Sequence, residues 1–334
     1  MSVLIRVVAL NLWLFCSIGK IAEAKSYDLN NFSSVEAFEK GRILRAQFKN
    51  IESRRYLKFA ADQGDPNAEY LYAMELISYK STIRTASESK YYLILAARNG
   101  SRKAMQFLYQ YANWLKEEER IFWKNNYYNA LINLGRSQPA QAFYDLSQYH
   151  KGSYDELSQY YLSRAVVFNH PKALMDVAHQ IEVGKGNFVS SDAREAQVRQ
   201  IYLKAAETGY LPAILIYIKC LEGDQMYEKA YEWRIKAMEA GDLMSLPILA
   251  SILTNQSEPY GFVESDVVAA KAYLSVYLES AGKDKLPTLY SNIEMFFSKL
   301  SLILNDTSDN KLINLENKIK SHAPFYRHDV FWDY

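Results

Sequence analysis

Large apolar rings and small apolar residues recur along this chain four positions apart, and a glycine follows each pair at a fixed distance. The phrase reads Tyr56, Ala60-Ala61, Gly64, Ala68; then Tyr92, Ala96-Ala97, Gly100, Ala104; and again, with Tyr202 one place off, Ala205-Ala206, Gly209, Ala213. Looser copies are anchored at Gly135 (Tyr127), Asn169 (Tyr161, Ala173) and Gly241 (Trp233, Ala237, Ser245), with the weakest at Gly282. A ring and a methyl at i and i+4 share one face of a helix, so each copy predicts a helix with a close-packing stripe. The glycine supplies the left-handed residue that ends it, and a second helix opens a few residues on. The first six anchors are spaced 36, 35, 34, 40 and 32 residues apart. That is the period of stacked helical hairpins, none of which can cover its apolar face alone.

The expected fold is therefore all-α: an α/α solenoid of stacked hairpins, with no sheet. Residues 27–50 carry Phe32, Val35, Phe38, Ile43, Leu44 and Phe48, which predict a first helix that caps repeat one. Leu289 to Leu304 and Lys311 to His322 predict closing helices, separated by a polar break over Asn305 to Asn310. Beyond them, five aromatic residues stand between Pro324 and Tyr334. Such a tail folds back on the last helices or docks elsewhere, and folding back is the expectation.

Met1 to Ala24 places Arg6 before the apolar stretch Val7 to Ile18 and ends Ala22-Glu23-Ala24. That order is the one of a cleavable export signal, and its apolar run is short for a membrane span. An uncleaved anchor is the alternative; lipid attachment at Cys16 is disfavoured by the bulk of Trp13, Leu14 and Phe15. The chain then divides into a signal peptide over 1–24, a cap over 25–50, repeats over 51–285 and C-terminal capping helices with the aromatic tail over 286–334. Cleavage leaves no membrane span and only Cys220 as a thiol, hence no internal disulfide.

Charge changes the picture by exclusion. Of 39 basic and 38 acidic residues, Arg6, Lys20 and Glu23 lie in the leader, so 37 of each remain. A nucleic-acid partner leaves a basic footprint, which this balance lacks. Tyrosine is unusually frequent, 27 against 15 phenylalanines, and is a residue of interfaces as well as cores. Catalytic patterns are missing: the five histidines are scattered, the glycines near Gly184 form no phosphate loop, no serine sits in a glycine-flanked elbow, and Glu117 to Glu119 reads as a solvated helix face. The chain is expected to be no enzyme and to need no cofactor or metal.

The ring, alanine-pair and glycine phrase resembles the Sel-one-like repeat, a relative of the tetratricopeptide repeat. Gly184-Lys185-Gly186-Asn187-Phe188-Val189-Ser190-Ser191-Asp192 and Tyr260-Gly261-Phe262-Val263-Glu264-Ser265-Asp266 are similar to that family's inter-repeat loop, in which the aspartate is placed to cap the next helix. The resemblance implies a right-handed superhelix whose first helices line a groove. Residues offset by one from the buried ring then face it: Arg55 with Phe59, Tyr91 with Leu95, Tyr160 with Arg164, Gln200 with Lys204, and Glu232 with Lys236. Of these Arg55, Tyr91, Tyr160, Arg164, Lys204 and Lys236 are the candidate partner-binding residues. Exported members of the family further imply a periplasmic protein partner, a toxic phospholipase-type effector of a type VI secretion system, which this chain would neutralise as an immunity protein. A cell-envelope adaptor and a secreted virulence factor that binds a host protein remain the alternatives.

Overall fold

A computed structural model describes residues 29–78, 83–304 and 309–328. The export signal and the last aromatics of the tail lie outside these residues. Residues up to Ser33 form a unit of their own, of which the described part is a 3-10 turn at Leu29–Asn31. The second unit begins at Ser34.

Sixteen α-helices and no strand occur among the described residues. After α1 (Ser34–Ala46) come seven hairpins: α2 (Asn50–Asp62) with α3 (Pro66–Ser78), α4 (Ile83–Arg98) with α5 (Arg102–Gln110), and α6 (Glu117–Leu134) with α7 (Pro139–His150). They continue with α8 (Asp155–Val167) and α9 (Pro171–Glu182), α10 (Ser191–Ala206) and α11 (Leu211–Gly223), α12 (Tyr227–Glu239) and α13 (Ser245–Leu253), and α14 (Val267–Ser280) and α15 (Pro287–Ile303), before α16 (Asp309–Lys320). Each helix up to α15 packs chiefly on its chain neighbours, and α16 returns onto α14. The apolar interior is correspondingly a succession of clusters along the row, the organisation of an all-α repeat solenoid.

The repeated phrase acts through its backbone. In α2 the Ala60-Ala61 pair is buried, and its carbonyls accept the N–H groups of Asp65 (3.2 Å) and Gly64 (2.9 Å), with Gly64 at φ +85°. The same two bonds close α4 at Gly100 and Ser101, α8 at Asn169 and His170, and α12 at Gly241 and Asp242. This is the paired closure of a helix by a left-handed residue, and it consumes two carbonyls that the helix leaves unpaired. The residue after the glycine then caps the second helix: Asp65 Oδ1 accepts Ala68 N–H (2.8 Å), Ser101 Oγ accepts Ala104 N–H, and Asp242 Oδ2 accepts Ser245 N–H (2.8 Å). The small residue four places after the anchor is thus the one whose amide is capped.

Two anchors depart from the expectation. Gly135 sits at φ −56°, because the copy carries an extra residue and Gln138 N–H, not the next residue, returns to the end of α6 at Leu134 O (2.8 Å). Gly282 lies outside the left-handed region as well; a Cβ there would stand 2.5 Å from the Phe48 carbonyl, so close approach is what it serves. Of the two inter-repeat aspartates, Asp266 caps α14 through Ala269 N–H (2.9 Å), whereas Ser190 takes that role for α10 and Asp192 falls in its first turn.

α1 lies on α2 and α16 on α14, and the two ends also join: Phe48, at φ +62° and 2% exposed, packs into the cluster of α13, α14 and α15 instead of the first repeat, and Val35 is 62% exposed. Gly282 N–H donates to Gln47 O (2.7 Å), Asp284 N–H to Phe48 O, and Ile51 N–H to the Asp284 carboxylate (2.8 Å). Buried Glu75 gathers Arg45 Nε (2.6 Å), Asn50 Nδ2 (2.9 Å) and, at 3.9 Å, Lys285 Nζ. The row of hairpins therefore closes on itself, each end covering apolar surface that the other would expose.

Candidate partner-binding surface

The ring register places the six predicted residues outward. Tyr92 is buried and Tyr91, one position before it, is 60% exposed with its ring edge-on to Tyr92 (5.2 Å, 80°). Tyr160 repeats this against Tyr161 on α8 (5.4 Å, 68°). Arg55, Arg164, Lys204 and Lys236 are exposed. Two of these cations already lie over rings of their own neighbourhood: Arg164 over Phe143 (5.9 Å) and Lys236 over Trp233 (4.1 Å). Such stacking holds the charged head itself against a ring while the side chain stays exposed.

A cleft that sequence reasoning missed lies among α4, α5 and α6. It encloses about 620 Å³ and is lined by Ile94, Ala97, Met105, Leu115, Phe122 and Trp123, with Arg98, Glu118, Glu119 and Asn126 as its polar members. That volume is within the range of roughly 300–1,000 Å³ found for small-molecule sites, and the cleft is open to solvent. Phe122 in its wall is 56% exposed, and Tyr111, Trp114 and Ile121 in the same stretch of chain are exposed as well. Trp114 lies under Lys90 Nζ (5.2 Å), and Phe122 stands edge-on to buried Trp123 (5.0 Å). The signal was present in the run Ile121-Phe122-Trp123, where only Trp123 is buried. Glu119 is occupied at the start of α6, accepting Lys116 N–H (3.0 Å), so Glu118 is the freer carboxylate at the cleft.

Next to it, Tyr109, Tyr127, Tyr128, Tyr149 and Tyr161 gather around α6, α7 and α8 with ring separations of 5.3 to 6.3 Å. Burial pushes the Tyr109 hydroxyl up to about 12 and Tyr127 further, so these two hydroxyls stay neutral. His150 is stacked on Tyr161 (5.6 Å, 14°), and burial followed by the Lys124 charge lowers its pKa. His170 caps α9: its Nδ1 accepts Ala173 N–H (3.3 Å), which leaves the proton on Nε2, 3.0 Å from Gln141 Oε1. Burial, then Lys172, brings it down to about 4, and its ring stacks on Tyr144 (4.6 Å, 18°). Among the described residues no three His, Cys, Asp or Glu side chains converge as a metal site, and no helix is long and apolar enough to cross a membrane.

No protein-family model and no curated protein matches the sequence. Among solved structures, a protective antigen present in uropathogenic Escherichia coli strains, displaying an SLR fold, is 15% identical with a TM-score of 0.41; the match covers 90% of this chain but spans only 63% of that protein. A Sel1 repeat protein from Oxalobacter formigenes is 17% identical with a TM-score of 0.37, over 91% of this chain and 92% of its own. The hairpin row described above rests on its own turns and clusters, not on these likenesses.

Proposed function

We propose that this chain is a protein-binding repeat scaffold whose contact face runs along α4, α6 and α8. The observation that carries this reading is the cleft of about 620 Å³ among α4, α5 and α6, whose wall includes the exposed ring of Phe122, with Tyr111, Trp114 and Ile121 exposed in the same stretch of chain. Large exposed apolar groups beside a concavity are costly in water and are where interfaces keep their anchors. Tyr91 extends the face along α4 and Tyr160 with Arg164 along α8, while Arg55, Lys204 and Lys236 supply orienting charge farther along the row. The test is binding by tagged protein with and without Tyr91→Asp and Phe122→Asp together. A partner identified by mass spectrometry should be lost from the double variant while circular dichroism and Tm stay unchanged. Equal capture by both would refute this face.

The narrower proposal is an exported immunity protein that neutralises a phospholipase-type effector in the periplasm. It is supported by the leader-like order of Met1 to Ala24 and by the repeat resemblance. Cells receiving the effector in the periplasm should survive only when the chain carries residues 1–24. Survival with a leaderless copy, or full resistance of cells that lack the protein, would remove this reading and leave the scaffold.

A further inference from the structure

We infer that the seam between the end of α1 and the turn joining α12 to α13 is an extended-peptide binding site, which the chain fills with its own segment Pro324–His328. The segment is bonded to both walls. On one side Tyr326 N–H donates to Gly241 O (3.0 Å) and Leu243 N–H donates to Tyr326 O (3.1 Å), the parallel bridge of Asp242 with Tyr326. On the other, Arg327 N–H donates to Ala46 O (2.9 Å) and Gln47 Nε2 donates to Phe325 O (2.7 Å).

Its side chains alternate as a strand's do. Phe325, 3% exposed, enters the cluster that holds Phe48, Leu243 and Tyr277, while Tyr326 packs against the cluster of Tyr217 and Trp233. Three residues beyond Phe325, His328 Nδ1 stands 3.4 Å from Asp242 Oδ1. Asp242 is wholly buried; Ser245 saturates its Oδ2 with N–H and O–H, and Oδ1 receives no hydrogen bond, a buried acceptor turned toward whatever cation fills this position. The wall is shaped for a main chain, because a Cβ on Gly241 would fall 2.5 Å from Pro324 O. Main-chain bonds on both edges with alternating side-chain pockets are the features by which sheet edges and clefts recognise extended peptides. The ligand class follows: an extended peptide with two adjacent aromatic residues and a cationic or protonatable side chain three positions after the first. Such a peptide in trans competes with the chain's own segment.

The inference is independent of the cleft at α4, α5 and α6 and is tested separately. A labelled hexapeptide with the sequence of residues 323–328 is titrated against the full-length chain and against its Phe325→Ala variant, whose own segment has lost its anchor. An occupied site lowers apparent affinity by the fraction that is open, so the variant should bind about tenfold or more tightly than the parent. Substituting the peptide's phenylalanine by alanine, or adding Asp242→Asn to the protein, should abolish the gain. A folded Phe325→Ala protein that ignores the peptide at millimolar concentration overturns the site. Should that variant lose its helical signal, hydrogen exchange on the parent decides. The amides of Leu243, Tyr326 and Arg327 should exchange by local opening, well ahead of the Ile218 amide in α11; exchange only through global unfolding overturns the inference.

Discussion

At the scale of the residue, the glycines that look alike in sequence serve two different physical ends. Gly64 and Gly100 have φ of +85° and +98°, and nothing within 4 Å would meet a Cβ, so only backbone conformation holds them as glycine. Asn169 occupies the equivalent position at φ +55°, which shows the one side chain this turn admits readily. Gly64→Asn is therefore expected to leave urea stability nearly unchanged, while Gly64→Val loses about 1–2 kcal/mol from the left-handed strain of a β-branched residue. Gly282 reverses the pattern, since any Cβ meets the Phe48 carbonyl; Gly282→Ala and Gly282→Asn should both be destabilising. Equal tolerance of asparagine at positions 64 and 282 would contradict this division. The sequence pattern shows where a glycine stands, but not whether φ or a distant carbonyl requires it.

Among the elements, what was legible and what was not divides along the same line. Tyr56, Ala60 and Gly64 lie within nine residues, and a periodic signal of that kind is local, so helices, turns and the outward placement of Tyr91 and Tyr160 could be read. The closing of the row could not, because it joins Gln47 and Phe48 to Gly282 and Phe325 across more than two hundred residues with no shared pattern. Phe48 is visible in the sequence as an apolar residue, but nothing local shows that its cluster belongs to the C-terminal helices and not to the first repeat. The cleft escaped for a related reason: Ile94, Met105 and Phe122 belong to three helices, and what matters is the space they leave. Phe48 gives the sharpest test at this scale. It pairs a left-handed backbone with full burial in the C-terminal cluster, so Phe48→Ala removes the apolar term and should cost about 3–5 kcal/mol. The loss should appear with early amide exchange at Gly282 and Asp284, which donate to Gln47 and Phe48. A loss with those two amides still protected would separate Phe48 from the closure.

For the whole molecule, pH joins two distant buried groups with opposite signs. His170 is held near 4 in the folded chain against an ordinary 6.5, first by burial and then by Lys172. The unfolded chain takes up this proton first on acidification, so the contribution is complete above 6.5 and is lost as pH falls toward 4. Glu69, fully buried against Asn99 Nδ2 (2.8 Å), is raised from 4.5 to about 7, first by burial. Here the folded chain keeps the proton longer, so its contribution is complete below 4.5 and is lost as pH rises toward 7. Each effect reaches about 3 kcal/mol at full extent, at roughly 1.4 kcal/mol per unit, and between pH 4.5 and 6.5 the two slopes oppose each other. Each variant is read as its difference in unfolding free energy from the wild type across that interval. Relative to the parent, Glu69→Gln should gain stability as pH rises, and His170→Gln should gain it as pH falls, because each removes one of two cancelling limbs. The substitutions lie in different hairpins and make no shared bond, so the double variant should return close to the parent's slope. Urea titrations at pH 4.5, 5.5 and 6.5 on the four proteins measure this directly; single variants whose slopes match the parent's would show that these two groups are not protonated as the fold places them.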